Sequence, residues 1–448
     1  MGADLRRIAL RLLESWERDE TYLNLSMNSR MTRELSRSER AFLTGLLYGT
    51  VERRITLDYL ISVAAKRSEI DPDSRNILRL GFYQLFFMDR VPPFAAVSET
   101  VSLADGKGKR AFINGVLRGA LRTFVNESGE RKLPLPPREK NLARYLSIAY
   151  SYPTELVRHF LSFLGEKETE ELLSVCNETA PLTLTVNTQR ITREGLLSLF
   201  AEREIRAERT ERSPRGVRVL DFLPVSLLPG FDEGLFFVQD EASQLGSAIL
   251  SPRRGELLVD PCACPGGKSF SAALSMGDTG QIYSFDLHES KLPLITDGAA
   301  RLGLTSLAVG ERDAREPDPS LLGKADAVHC DVPCSGLGVL RKKPDLRYRF
   351  EGRGELPALQ LEILTASAAY LKEGGRLLYS TCTLNPAENE GVFEQFLAKN
   401  PDFEPCPFEV ADLSAPTGQL TLYPHKHGCD GFFYALARKK THPSKNAN

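Results

Sequence analysis

Two cysteines stand where short apolar runs end. Cys334 lies in Val332-Pro333-Cys334-Ser335-Gly336, directly after Ala327-Val328-His329-Cys330-Asp331, and Cys382 lies in Ser380-Thr381-Cys382-Thr383, after Arg376-Leu377-Leu378-Tyr379. A thiolate is a soft nucleophile suited to adding to an activated ring carbon. Two thiols at one ligand edge, one of them three residues after an acid, point to covalent catalysis. Such a thiol needs its pKa lowered by a neighbouring cation or a helix N-terminus, and Lys268 is the candidate cation. Spacing does not decide which of the two attacks. The other cysteines (Cys176, Cys262, Cys264, Cys330, Cys406 and Cys429) read as small buried hydrophobes. Cys262-x-Cys264 and Cys330-x-x-x-Cys334 lack the paired spacing of a zinc knuckle, so no metal is expected.

A second stretch supplies a place for a ligand. Leu257-Leu258-Val259-Asp260 is an apolar run ending in an acid; Pro261-Cys262-Ala263-Cys264-Pro265-Gly266-Gly267-Lys268 is a broken turn, and helix-forming residues follow from Phe270. Strand, tight loop and helix N-terminus form the geometry by which a doubly wound sheet holds a nucleotide-like ligand at its carboxyl edge. Gly266 and Gly267 allow positive φ and leave no Cβ in the way. The loop fits neither Gly-x-x-x-x-Gly-Lys-Ser/Thr nor Gly-x-Gly-x-x-Gly. Further runs end at Asp286 (Ile282 to Asp286), before Asp313 (Ser306 to Val309) and at Asp331. An acid after a strand is more often a cap or turn former than a ligand. Asp260, Asp286, Asp313, Asp331 and Cys382 converging on one sheet edge are another matter. Asp286 follows Asp260 by 26 residues, near the offset at which an acid meets ribose hydroxyls in dinucleotide folds.

The elements that must position these groups fit a multidomain chain of 448 residues, 42% apolar and 26% charged. No apolar run is long enough to span a bilayer, and the first residues carry no signal-peptide core, so a cytoplasmic location is expected. Eight cysteines in so long a chain do not form a disulfide framework. The net charge of −2 hides an asymmetry: residues 1–132 hold 22 Lys and Arg against 17 Asp and Glu. A basic front module suggests a polyanionic partner.

Residues 1–133 read as all helix, with Ile8, Leu12, Leu13 and Trp16 at helical spacing behind Asp4, and helices near 73–87, 93–103 and from 107. A linker with Pro134-Leu135-Pro136-Pro137 follows. Residues 142–235 read as a small α/β adaptor, with strands at Thr183 to Asn187 and Val217 to Leu220. Residues 236–440, opened by Phe237-Val238, read as an alternating, largely parallel α/β domain that Gly431 to Leu436 closes at its edge.

The stretches RAFLTGLLYGTVERR, TLDYLI and FINGVLR resemble the NusB-type RNA-binding helical domain. That resemblance implies an all-α bundle in which Arg37, Arg40, Arg53, Arg54, Lys107, Lys109 and Arg110 touch phosphates; the alternative for each is a solvated helix face. DPCACPGGKS, DVPCSGLGVLRKKPD and YSTCTLNPAENE, in that order, resemble the Sun/Fmu family of RNA cytosine-C5 methyltransferases. With the helical front module, the chain looks like the branch that acts on small-subunit (16S) rRNA. This implies a Rossmann-like class I methyltransferase domain binding S-adenosylmethionine through Cys262, Ala263, Cys264, Pro265, Gly266, Gly267 and Lys268. Asp286 would sit on the ribose and Asp313 near the adenine, while Asp331 would serve both cofactor and base. Cys382 would be the nucleophile, Asp331 the hydrogen-bonding partner of the cytosine, and Cys334 the residue that assists product release. In DNA cytosine-C5 enzymes the Pro-Cys thiol attacks, so the assignment of Cys382 rests on the RNA family. Cys264 stands where that family usually has Ala, and Ser269 where Thr is commoner. Ribosomal RNA is the expected partner and a monomer the expected state. A tRNA substrate is the runner-up; a non-catalytic rRNA-binding assembly factor is the rival from another class.

Overall fold

The computed structural model describes residues 4–19, 23, 32, 35–221, 223–350 and 354–441. The chain divides into two compact units, Met1–Glu178 with Leu340–Phe350, and Thr179–Val339 with Glu351–Asn448.

The first unit is helical: α1 (Leu5–Asp19), α2 (Arg37–Glu52), α3 (Arg54–Ala65), α4 (Pro72–Phe87), α5 (Pro93–Ser102) and α6 (Lys107–Phe124). The starts follow from capping chemistry. Asp4 Oδ1 accepts the amide of Arg7 at 3.1 Å, Ser36 and Glu39 form a reciprocal capping box, and Asp71 caps α4 with Pro72 in its first turn. Leu13, Trp16, Leu46, Leu60, Phe82 and Phe124 are among the side chains of the common core. Arg79, 3% exposed, is held there by Asp58 (2.7 Å to each oxygen) and by Glu17 at 2.6 Å, a buried cation made tolerable by charge-assisted hydrogen bonds.

Two further segments pack with this unit. Helices α7 (Leu142–Tyr150) and α8 (Thr154–Val175) are among its elements. Thr56 Oγ1 donates to the carbonyl of Ile148 at 2.5 Å, and Ser151 Oγ accepts the amide of Ile55 at 3.0 Å. Residues 340–350, the first six of which close the motif DVPCSGLGVLRKKPD, also belong to it. The Arg347 side chain is fully buried over the ring of Tyr152 at 4.0 Å. Its Nη1 donates to the carbonyls of Glu52 and Ser151 and to Asn177 Oδ1 at 3.1, 3.1 and 3.2 Å. Tyr348 donates to the Val51 carbonyl at 2.7 Å.

In the second unit a small antiparallel sheet has the order β2-β3-β1-β4, from β1 (Leu182–Val186), β2 (Ala207–Arg209), β3 (Gly216–Val219) and β4 (Phe236–Val238). Helix α9 (Arg193–Ala201) buries Leu196 and Phe200 against it. The sequence reading placed Phe237-Val238 at the opening of the methyltransferase domain. They instead form this sheet's fourth strand, paired with β1, because Phe236 fills the same core as Leu184 and Val186.

The large sheet is formed by β5 (Leu257–Asp260), β6 (Gln281–Asp286), β7 (Leu307–Glu311), β8 (Ala325–Asp331), β9 (Leu371–Thr381) and β10 (Phe403–Pro405), with a separate hairpin β11 (Phe408–Val410) and β12 (Leu413–Ala415), then β13 (Gln419–Leu422) and β14 (Phe432–Lys439). Its order is β10-β14-β9-β8-β5-β6-β7, with β13 beside β14. Strands β5 to β9 run parallel and β14 runs antiparallel to β9. β14 is thus an inner strand, not the closing edge, and its buried Phe432 to Ala437 are the consequence. Helices α10 (Glu241–Leu250), α11 (Gly267–Ser275) and α12 (Leu292–Leu302) pack with one core, α13 (Leu356–Ala368) and α14 (Glu390–Lys399) with the other. Asn187 ties the small sheet to α12 by donating to the carbonyls of Gly234 and Leu302, each at 2.9 Å.

Arg347 supplies one buried cationic donor to three acceptors that nothing of Leu's size and polarity could satisfy. Arg347→Leu is expected to cost about 3 kcal/mol, read as a lower thermal midpoint of the first unit by calorimetry. An unchanged midpoint would contradict this role.

Candidate active site

Chain order leaves β5 for β6 and β7 on one side and for β8 and β9 on the other, so the sheet has a switch point between β5 and β8. A crevice opens there at the carboxyl ends of the strands. The loop 261–266 follows β5, Asp331 ends β8, and Cys382 follows β9. Asp331 Oδ2 pairs with Lys268 Nζ at 2.5 Å, and its Oδ1 accepts Ser380 Oγ at 2.7 Å. Ser380 is in turn 3.3 Å from the Nε2 of buried His329. Burial lowers the His329 pKa to about 4, which keeps the ring neutral. The sequence reading cast Lys268 as the cation that acidifies a thiol; its charge is engaged first by Asp331.

The thiols of Cys334 and Cys382 lie 3.3 Å apart. Their loops are stapled together by residues that the sequence reading quoted but gave no role. Glu388, with zero exposure, accepts the Ser335 amide and the Gln360 side-chain amide on Oε2, each at 2.9 Å, and Asn385 Nδ2 on Oε1 at 2.9 Å. Ser335 Oγ meets Thr383 Oγ1 at 2.6 Å. Asn389 accepts from Thr381 Oγ1 at 2.6 Å and donates to the Thr383 carbonyl at 3.1 Å. The Gly338 amide donates to the Cys382 carbonyl at 2.9 Å. A Cβ on Gly338 would stand 1.9 Å from the Gly431 carbonyl oxygen, so only glycine permits that approach. The Cys334 pKa is pushed well above the usual thiol value by its contact with Cys382, by burial, and by the charges of Cys382, Glu388 and Asp331.

Three family models match this chain: the 16S rRNA methyltransferase RsmB/F model over residues 247–438, the NusB family over 3–122, and the RsmF/B-like ferredoxin-like domain over 152–226. A probable ribosomal RNA small subunit methyltransferase B of Synechocystis sp. is 37% identical, covering 97% of this chain and 99% of the relative. The chain belongs to the RsmB/F methyltransferase family. A probable ribosomal RNA small subunit methyltransferase B of Bacillus subtilis is 34% identical over 97% of the chain and 99% of its own length. Among solved structures, PH0851 superposes with a TM-score of 0.78 at 28% identity, over 97% of this chain and 98% of that one. NSun6 from Pyrococcus horikoshii shares the fold (TM-score 0.58, 23% identity, 65% of this chain and 100% of that one).

An RsmB/F protein is an rRNA methyltransferase, and its methyl donor is S-adenosylmethionine. The residues at the switch point fit that cationic nucleoside. Gly266 takes φ +105°, and a Cβ there would lie 2.4 Å from the Phe270 ring, so the turn needs glycine. Gly267 begins α11 in ordinary helical conformation; positive φ, expected at both, is needed at Gly266 alone. Asp260 is fully buried, with Oδ2 accepting Ser269 Oγ at 2.7 Å and Oδ1 without a partner, an orphaned carboxyl oxygen beside the loop. Asp286 is half-buried, one oxygen accepting the His288 amide at 3.1 Å, and the next residue, Leu287, offers an apolar surface that is 54% exposed. Asp313 is engaged by Arg315, at 2.6 Å at the closest, which holds its carboxyl below the usual range. Cys262 and Cys264, expected to be buried, are half-buried in the loop, as is Cys406 directly after β10.

The cations expected to meet phosphate in the NusB-like part are partly spoken for. Lys109 pairs with Asp71 and Asp73 at 3.3 and 3.2 Å. Arg53 pairs with Glu52 and Arg54 with Glu17, at 3.5 and 3.7 Å. Arg40 Nη2 donates to the Thr32 carbonyl at 2.6 Å and Arg110 Nε to that of Ala104 at 2.8 Å. Arg37 and Lys107 are exposed.

Burial pushes the Asp260 carboxyl up to about 7, opposed by Ser269 and by the Lys268 charge. Between about pH 4 and 7 the folded chain therefore holds a proton that the unfolded chain has released, and stability falls as pH rises through that window. Asp260→Asn mimics the protonated form. Its thermal midpoint relative to wild type should rise between pH 5 and pH 8. A difference independent of pH would place the Asp260 pKa elsewhere.

Proposed function

We propose that this rRNA methyltransferase modifies C5 of a cytosine in small-subunit rRNA through a covalent adduct between Cys382 and C6 of the base. The observation that carries the proposal is the pair of thiols 3.3 Å apart, beside a carboxylate held by Lys268 and Ser380. The curated relatives are named as small-subunit methyltransferases B, which favours 16S rRNA over tRNA.

Cytosine C5 is a poor nucleophile. Addition of the Cys382 thiolate to C6 places an electron pair across C5 and C4; the N3/N4 edge takes up a proton, and the Asp331 carboxylate accepts a hydrogen bond from that edge. The 262–268 loop and Asp286 would hold S-adenosylmethionine, which when bound would supply an electrophilic methyl group for that carbon. Loss of the C5 proton then expels the Cys382 sulfur and restores the aromatic ring. Cys334 assists this last stage. Its thiol is disfavoured as a thiolate by Cys382 and by the nearby carboxylates, and the choice of Cys382 as the attacking group rests on the resemblance to the RNA family. A base reacting in this pocket must leave its stack.

The two thiols can be separated by trapping. Cys382→Ala should abolish both methyl transfer and any RNA–protein adduct. Cys334→Ala should form the adduct and methylate C5 but fail to release, giving a denaturant-stable complex seen as a shifted band on a denaturing gel. If Cys382→Ala traps RNA and Cys334→Ala does not, the roles are exchanged. Full activity in both variants would refute covalent catalysis.

A further inference from the structure

His329 is a polar residue in an apolar place. It lies on β8, an inner strand, with 2% of its surface exposed. Ala327 and Leu378, on the same face of the sheet, belong to the apolar core. The ring is packed against the backbone of α10, where a Cβ on Gly246 would stand 2.8 Å from His329 Cε1. Burying an imidazole there costs stability that an aliphatic side chain would not, because the ring nitrogens give up water. Burial also lowers its pKa to about 4, so the ring is neutral and carries one N–H. The methyl-transfer steps above assign it no part.

What the ring touches is the serine that holds Asp331. Successive side chains of a strand alternate between faces, so His329 and Asp331 share one face of β8. Ser380, in register with Asp331 on β9, shares it with them. Ser380 has zero exposure, a single hydroxyl hydrogen and two neighbours that could take it, Asp331 Oδ1 at 2.7 Å and His329 Nε2 at 3.3 Å. Asp331, the ion-pair partner of Lys268, can only accept. Were Nε2 to hold a lone pair, it would compete for that hydrogen. With the ring hydrogen on Nε2, the histidine donates to Ser380 Oγ and the serine's hydrogen is committed to the carboxylate. The second arrangement satisfies all three groups and assigns the tautomer. We propose that His329 is a positioning residue for methyl transfer, acting through Ser380. Its Nε2–H fixes the hydroxyl as a donor to Asp331 and holds that carboxylate in the orientation that receives the base. The inference rests on the reading of Asp331 as the acceptor at the N3/N4 edge of cytosine, and it adds a residue that the base never touches.

The test measures steady-state methylation of small-subunit rRNA by the full chain, together with the thermal midpoint of each variant. His329→Leu fills the site with apolar atoms and no donor. Its midpoint should equal or exceed that of wild type, while kcat falls about tenfold at unchanged KM for rRNA. His329→Gln, whose side-chain amide can donate to the serine, should recover most of kcat in spite of a lower midpoint. Rates that follow the midpoints across the three proteins would mark a structural role and overturn the proposal. A second measurement does not depend on the glutamine variant. In a Ser380→Ala background, His329→Leu should lower kcat no further, because the histidine acts through the serine. A full tenfold loss on that background would overturn the proposal, as would wild-type kcat for His329→Leu alone. Asp331→Asn separates the two claims. If it is inactive while His329→Leu keeps wild-type kcat, the role of His329 alone is misread. If Asp331→Asn methylates at the wild-type rate, the reading of Asp331 at the cytosine fails, and the role of His329 with it.

Discussion

A buried carboxylate, Glu388, fixes the geometry on which the catalytic end of the second unit depends. Taking an ionised carboxylate out of water costs several kcal/mol, and the cost is offset only if its lone pairs are met by well-placed donors. Those donors are the Ser335 amide and the side-chain amides of Gln360 and Asn385, each a hydrogen bond to a charged group. Ser335 follows one thiol and Asn385 lies three residues beyond the other. The demand for satisfied donors at Glu388 therefore sets the position of both loops at once. Asn389 and the Ser335–Thr383 hydroxyl pair repeat the constraint from neighbouring positions.

The sheet supplies the other half of the arrangement. A switch point between β5 and β8 brings the 262–268 loop beside Asp331, and β9 next to β8 brings Cys382 beside Cys334. Lys268 couples the two halves, since it stands in the first turn of α11 behind the β5 loop and its ammonium ends on the carboxylate that closes β8. Asp331 is oriented from both sides, by Lys268 and by Ser380, with neutral His329 behind the serine. Both oxygens are occupied in the free protein, which limits the orientations the carboxylate can take before a base arrives.

Much of this was legible in the sequence because it depends on local chemistry. An apolar run ending in an acid and a Pro/Gly-broken turn determines strand, loop and helix within a dozen residues, and β5, β6 and β8 appear where that pattern places them. Asp4 marks the start of α1 in the same way. What was not legible depends on partners far away in the chain. The motif DVPCSGLGVLRKKPD runs to Asp345, yet two residues later Arg347 finds its acceptors at Glu52, Ser151 and Asn177. Phe236 to Val238 is an apolar run with no periodicity of its own, and only its pairing with β1 assigns it to the small sheet. Glu388 sits in a visible motif, but a glutamate in Asn-Pro-Ala-Glu-Asn looks like a solvated turn until burial is known. The basic residues of the front module were visible as charges, and their carboxylate partners were not.

The central claim is that the paired thiols serve chemistry at C5 of cytosine, which requires one C5 hydrogen to leave for each methyl group gained. The direct measurement is tritium release from small-subunit rRNA transcribed with [5-³H]cytidine, followed together with methyl incorporation from S-adenosylmethionine. The account predicts release in step with methyl transfer, one for one, and neither with Cys382→Ala. Methyl groups incorporated into the rRNA without release of tritium would contradict it.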